Sequence, residues 1–184
     1  MFETAKSQLA ITPFSDLGNI LLLRPAMPKD VQPVLADFVR RLVGHRVSHS
    51  SLLLNSLRVC VDRQLQENSG FFLWFEPVWH LGDPNGVLVG SRQAQVEERD
   101  AHAALNSLVE KIVGQPIEGV SIEPLTNDID VRFSGGYWIR TFVSDPTADE
   151  NWYIRDCGSN EVVTGSAKGL RLTDRADRSS DTPQ

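Results

Sequence analysis

Shortages define this sequence more sharply than motifs do. Two cysteines, Cys60 and Cys157, are all that 184 residues contain, too few for a disulfide scaffold or a thiolate zinc site. Cys60 falls inside a predicted strand and Cys157 at a strand-to-turn junction, so buried thiols are the expected state of both. Apolar runs are short, none near the roughly 18 residues that cross a bilayer, and residues 1–9 lack a basic segment followed by an apolar stretch. No membrane contact and a cytoplasmic location are the expectations. Positive charge is scarce too: 18 Lys and Arg face 24 Asp and Glu, for a net charge of −6. Nucleic-acid binding, which needs basic side chains to displace counterions from phosphate, is therefore not expected. An acidic surface suits solubility or a basic partner.

Catalytic and cofactor signatures are missing as well. His45 and His49 follow Gly44 in a predicted extended segment, where a separation of four residues amounts to about 13 Å, too far for two ligands of one ion. His80 and His102 stand alone. Gly90-Ser91 and Gly165-Ser166 lack the flanking glycines and strand-to-helix turn of a nucleophile elbow. Residues Ser48 to Ser51 alternate faces of a strand and build no triad. No phosphate loop or dinucleotide fingerprint occurs. No metal, no cofactor and no catalytic residue is assigned.

What the sequence does contain is a pattern met twice. Leu35, Phe38, Val39 and Leu42 run into Gly44, and 70 positions later Leu105, Leu108, Val109 and Ile112 run into Gly114. Spacings of three and four put each set on one stripe of a helix, and the Gly supplies the left-handed residue that ends it. Alternating Leu57, Val59 and Val61 correspond to Ile129, Val131 and Phe133, which predicts a strand with one buried face in each half. Phe71 to Phe75 corresponds to Tyr137 to Phe142, Trp79 to Trp152, and Val87–Ser91 to Val162–Ser166. The predicted fold is therefore α+β: two tandem repeats, each an amphipathic helix followed by about four mostly antiparallel strands, packed as one body because seventy residues alone bury too little apolar surface.

Boundaries follow from the pattern. Residues 1–27 form an N-terminal extension, 28–91 the first repeat, 92–172 the second, and 173–184 a tail with no apolar anchor, expected to be disordered. Ser134-Gly135-Gly136 is the strongest turn signal, a hairpin between alternating runs. Pairing of edge strands into a homodimer is left open.

Function is best sought in what the halves do not share. Asp145, Asp149 and Glu150 flank Pro146 in a loop ahead of Trp152, while Asp128 and Asp130 alternate with Ile129 and Val131 and so project from the sheet face opposite the core. These five carboxylates, with Trp152 as an aromatic anchor, are the candidate partner-binding residues. Nothing in the sequence buries the carboxylates as acid–base catalysis would require.

Two passages carry a resemblance: Phe72-Leu73-Trp74-Phe75-Glu76-Pro77-Val78-Trp79-His80-Leu81 with Val87–Ser91, and Asp128–Phe133 with Gly136–Phe142 and Glu150–Ile154. Over about Phe38 to Ser166 the chain resembles a loosely defined group of small bacterial proteins of unassigned activity, some of which sit beside polymorphic toxins and are suspected immunity proteins. The resemblance implies bacterial origin and a noncatalytic protein, and together with the acidic charge and the missing catalytic signature it makes a cytoplasmic immunity protein, neutralising a cognate toxin by occlusion, the expected function. It carries no catalytic motif, and His80 stands where the group has an Arg. The alternative is a regulatory or scaffolding domain that binds a small ligand or an intracellular partner, and the third reading is an enzyme of unknown class.

Overall fold

The computed structural model describes residues 31–62, 69–95 and 98–174. The N-terminal extension and most of the expected tail lie outside these residues, although Thr173 and Asp174 belong to a strand.

Both predicted helices form. In α1 (Val31–Leu42) the stripe Leu35, Phe38 and Leu42 is buried, and the chain leaves it through Gly44 at φ +92°. In α2 (Arg99–Val109) a 3-10 turn over Glu110–Ile112 carries the stripe on to buried Val109 and Ile112, and Gly114 at φ +82° ends it. The positive φ explains why glycine follows each stripe. The α1 helix is pinned at its C-terminal end by Arg41, which donates to Asp156 and Glu161, both at 2.6 Å, while its guanidinium lies 4.9 Å from the Phe38 ring.

Among the described residues eleven antiparallel strands make two sheets. The first holds β1 (Val47–Leu53), β2 (Ser56–Val61), β3 (Phe71–Phe75), β9 (Trp152–Asp156), β10 (Glu161–Ser166) and β11 (Gly169–Asp174), in that order. The second holds β5 (Gly86–Gly90), β4 (Trp79–Asp83), β8 (Trp138–Thr141), β7 (Ile129–Phe133) and β6 (Ile117–Ile122). The Ser134–Gly136 turn joins β7 to β8, with Gly135 and Gly136 at φ +73° and +77°. Alternation decides what is buried. Leu57, Val59 and Val61 of the first sheet share one apolar core with Ile129, Val131 and Phe133 of the second. Both cysteines are buried free thiols.

The expectation that each half builds its own helix-plus-sheet unit is not met in that form. The segment after α1 gives five strands, of which three enter the first sheet and two, β4 and β5, cross to the second. The segment after α2 gives six, with β6 to β8 in the second sheet and β9 to β11 in the first. Strand propensity sets where strands lie but not which sheet they join.

Three sets of contacts hold this exchange together. Trp79 is fully buried and its Nε1–H donates to the Asn55 carbonyl at 2.8 Å, tying β4 to the β1–β2 turn of the other sheet. Trp152 does the same in reverse, donating to the Asn127 carbonyl at 2.8 Å. Each indole buries roughly 200 Å², worth about 5 kcal/mol of gross transfer free energy. Where the chain enters β1 and β6, Arg46 and Pro116 form a bridge surrounded by reciprocal bonds. Gly44 N–H donates to Ile117 O and Gly114 N–H to Val47 O, both at 2.8 Å, and Val47 N–H to Gln115 O matches Ile117 N–H to His45 O at 3.0 and 2.8 Å. Register shifts follow at once in both strands, after Val47 and after Ile117.

Asp62 locks the crossing on one side. It accepts from the Arg46 N–H at 3.0 Å and contacts His45 Nδ1 at 2.6 Å. Burial pushes its carboxyl up, but the hydrogen bonds from His45 and Arg46 and their positive charge outweigh that and hold it below the ordinary value of 3.8. A carboxyl depressed in the folded state stabilises fully above its unfolded value, and that contribution fades as pH falls through the folded one. Denaturant titrations should therefore show Asp62→Asn less stable than wild type near pH 6, with the gap closing below about pH 4.

Gly165 yields a second expectation. A Cβ there would stand 2.1 Å from Cε2 of the buried Trp152 indole, which has no room to move. Gly165→Ala should cost about 2–3 kcal/mol in urea unfolding. Gly119→Ala, with nothing within 4 Å of the added methyl, should be near neutral.

Candidate functional site

The structure separates the six candidate residues. Trp152 is withdrawn from any surface role: it is 0% exposed, packed under Gly165 and hydrogen-bonded inside the core. Proximity in sequence to acidic residues suggested an anchor, but alternation in β9 turns Trp152 and Ile154 inward and Tyr153 outward. Asp145 spends its carboxylate on its own turn, accepting from the N–H and hydroxyl of Thr147 at 2.7 and 2.6 Å, and these bonds hold it below the usual carboxylate range. Asp149 is 88% exposed and paired with Lys168, whose hydrogen bond and charge also lower its carboxyl. Glu150 is half-buried next to it.

Asp128 and Asp130 come together on the outer face of the second sheet, as their alternation predicts. Asp128 accepts from the Val143 N–H at 2.7 Å and the Thr141 hydroxyl at 3.3 Å, and so fixes the chain where it leaves β8. Asp130 is gripped from two strands. Arg140, directly across the β7–β8 ladder, donates from Nε and Nη2 to Oδ2 at 2.8 and 2.5 Å. Arg132, two residues along β7, donates from Nε to Oδ1 and from Nη2 to Oδ2, the latter at 3.1 Å. The Asp130 side chain is 14% exposed, whereas Arg132 and Arg140 are 53% and 44% exposed. Both guanidiniums thus keep donors directed at solvent.

Aromatic groups frame this bridge. The Arg140 guanidinium lies 5.6 Å from the Trp138 ring, within cation–π range. Trp138 itself occupies space that Gly82 leaves open, since a Cβ there would come within 2.2 Å of the indole. On the same row His80 pairs with Arg140 across β4 and β8, and its ring is 5.0 Å from that of Phe142. A cleft of about 430 Å³ lies here, lined by Ser121, Glu123, Asp128, Asp130, Arg132, Arg140 and Phe142 among others. Its two positive and three negative side chains leave it slightly acidic.

Arg132 and Arg140 are the residues that sequence reasoning missed, yet a signal for both was present. Asp130 and Arg140 are equidistant from Gly135, so the predicted hairpin already places them opposite one another, and Arg132 shares the face of Asp130 by period two.

Two other surfaces stand out. On the outer face of the first sheet Phe72, Trp74 and Tyr153 stack with centroids 5.8–6.4 Å apart, and Trp74 donates to Glu76 at 2.6 Å. Between α1 and β6 an apolar groove of about 590 Å³ is lined by Leu35, Val39, Val43, Val120, Ile122 and Leu170. Among the described residues no three His, Cys, Asp or Glu side chains gather as a metal site would, and no helix is long and apolar enough to cross a membrane. Searches against family models, curated proteins and solved structures find no match to this chain.

Asp128→Ala should destabilise the fold by about 1–2 kcal/mol, because the Val143 N–H and Thr141 hydroxyl lose their acceptor. Asp128→Asn retains an acceptor oxygen and should cost less than half as much in the same denaturation experiment.

Proposed function

We propose that this chain is a noncatalytic binding protein that engages a protein partner through the outer face of its second sheet. Its role in this reading is that of a cytoplasmic immunity protein that occludes a cognate bacterial toxin. The observation that supports it best is the Arg132–Asp130–Arg140 bridge, which fixes two half-exposed guanidiniums beside Trp138 and Phe142. Side chains held in place before binding lose little entropy on association. Arg and Trp are also the residue types that most often dominate interface energetics. Net charge of −6 would speed encounter with a basic partner, and the exposed Asp149 extends that field. The toxin as partner class comes from the resemblance in the sequence.

We further infer that 28–91 and 92–172 are tandem repeats. The reciprocal bonds around Arg46 and Pro116, the paired register shifts in β1 and β6, and the matched indole bonds of Trp79 and Trp152 favour that reading. Each recurs at sequence offsets of 70 to 73.

The apolar groove beside α1 favours a second reading, a regulatory domain that takes a small apolar ligand. Saturable binding of a hydrophobic dye, lost in Val39→Arg without unfolding, would support it.

The test of the main reading uses the protein encoded by the neighbouring gene, which this reading expects to be the toxin. Arg132→Ala/Arg140→Ala should weaken binding at least about 30-fold by calorimetry, as a hot-spot loss of 2 kcal/mol requires, and should abolish protection of cells that express the toxin. Wild-type affinity in the double variant would rule out this face, and a neighbouring gene harmless in cells without this chain would rule out immunity.

A further inference from the structure

A hydroxyl without a partner lies at the floor of a small polar pocket on the other sheet. Thr164, in the middle of β10, is 2% exposed and its Oγ1 makes no hydrogen bond. Register places it on one face between Tyr153 of β9 and Arg171 of β11. The pocket, about 250 Å³, is walled by Ser166, Lys168, Arg171 and Asp149. Two further orphaned buried atoms, Arg155 Nε and Thr173 Oγ1, flank Val162 on the next row of the same face, outside the pocket. Leaving a buried polar group unsatisfied costs about 1–3 kcal/mol, so the Thr164 hydroxyl, the orphan that lines the pocket, calls for an acceptor that the folded chain does not provide.

The walls indicate its chemistry. Arg171 is exposed and makes no hydrogen bond or ion pair among the described residues, although its charge helps lower the Asp149 carboxyl. Lys168 already holds one carboxylate, that of Asp149, whose side chain is 88% exposed and easily displaced. Ser166 is occupied: its hydroxyl donates to Gly169 O at 3.3 Å and accepts from the Lys168 N–H at 3.2 Å. Two cationic side chains and a donating hydroxyl thus converge on a space smaller than the usual range of about 300–1,000 Å³ for ligand pockets.

We infer that the outer face of the β10–β11 hairpin carries an oxyanion-binding subsite, in which Thr164, Arg171 and Lys168 take the carboxylate or phosphate group of a small molecule. Asp149 acts as a tethered competitor at its mouth. This site is independent of the Asp130 face, on the opposite sheet, and neither needs the other.

The experiment is a chemical-shift titration of the full ¹⁵N-labelled chain with inorganic phosphate and, separately, with acetate, at ionic strength held constant with sodium chloride. Saturating shifts are expected at Thr164, Lys168, Gly169 and Arg171. Thr164→Val and Arg171→Gln should each weaken binding about tenfold or more, as loss of a charge-assisted hydrogen bond does, and Asp149→Asn should tighten it by freeing Lys168. Thr164→Val keeps the side-chain shape and removes an unsatisfied hydroxyl, so without anion it should melt no lower than wild type. Saturation by phosphate alone assigns a phosphate group, by acetate alone a carboxylate, and by both an unselective oxyanion site. Linear shifts with both anions, or equal affinity in wild type and the two weakening variants, would overturn the inference.

Discussion

The exchange of strands between sheets is the constraint on which the rest of this structure depends. Each sheet is complete only when it receives strands from the distant half of the chain, and each donated set, β4–β5 or β9–β11, is led across by a tryptophan whose indole N–H reaches a turn carbonyl on the other sheet. An indole buried without that bond would leave a polar group stranded in the core. One requirement thus fixes the position of Trp79 and Trp152, the path of the turns at Asn55 and Asn127, and the glycine at 165 that leaves the second indole its space.

The same constraint shapes the surface. Because β4 lands next to β8, His80 and Gly82 come alongside Arg140 and Trp138. Residues far apart in sequence thereby meet around the Asp130 bridge. The first sheet is assembled likewise, with Trp74 of β3 set against Tyr153 of β9. Neither cluster belongs to one half of the chain. The Asp130 bridge itself is local to the β7–β8 hairpin, and β4 adds His80 and Gly82 alongside it from the other half.

Sequence reasoning reached the elements and their inward faces. Period-two alternation identified Leu57, Val59 and Val61 and Ile129, Val131 and Phe133 as core, and all six are buried. The helix stripes and their terminal glycines were legible for the same local reasons. Sheet membership was not, because pairing between β3 and β9 joins residues some 80 positions apart and leaves no local periodicity. The candidate site divided along the same line. Asp128 and Asp130 were placed on the correct face by alternation, whereas the Asp145 to Glu150 loop was chosen for charge alone, and its carboxylates turn out to serve nearby partners in Asp145 and Asp149. Trp152 failed for a related reason: it was judged by its neighbours in sequence, and burial follows the pleat.

The position of β9 to β11 some eighty residues after β3 bears on how the protein is made. Strands β1 to β3 leave the ribosome before their partner β9 and would present the β3 edge with Leu73 and Phe75 uncovered until some eighty later residues have been synthesised. At about 5–20 residues per second that interval lasts on the order of ten seconds. During synthesis the nascent β1–β3 sheet is thus an open edge with an apolar face, closed when β9 arrives to pair with β3.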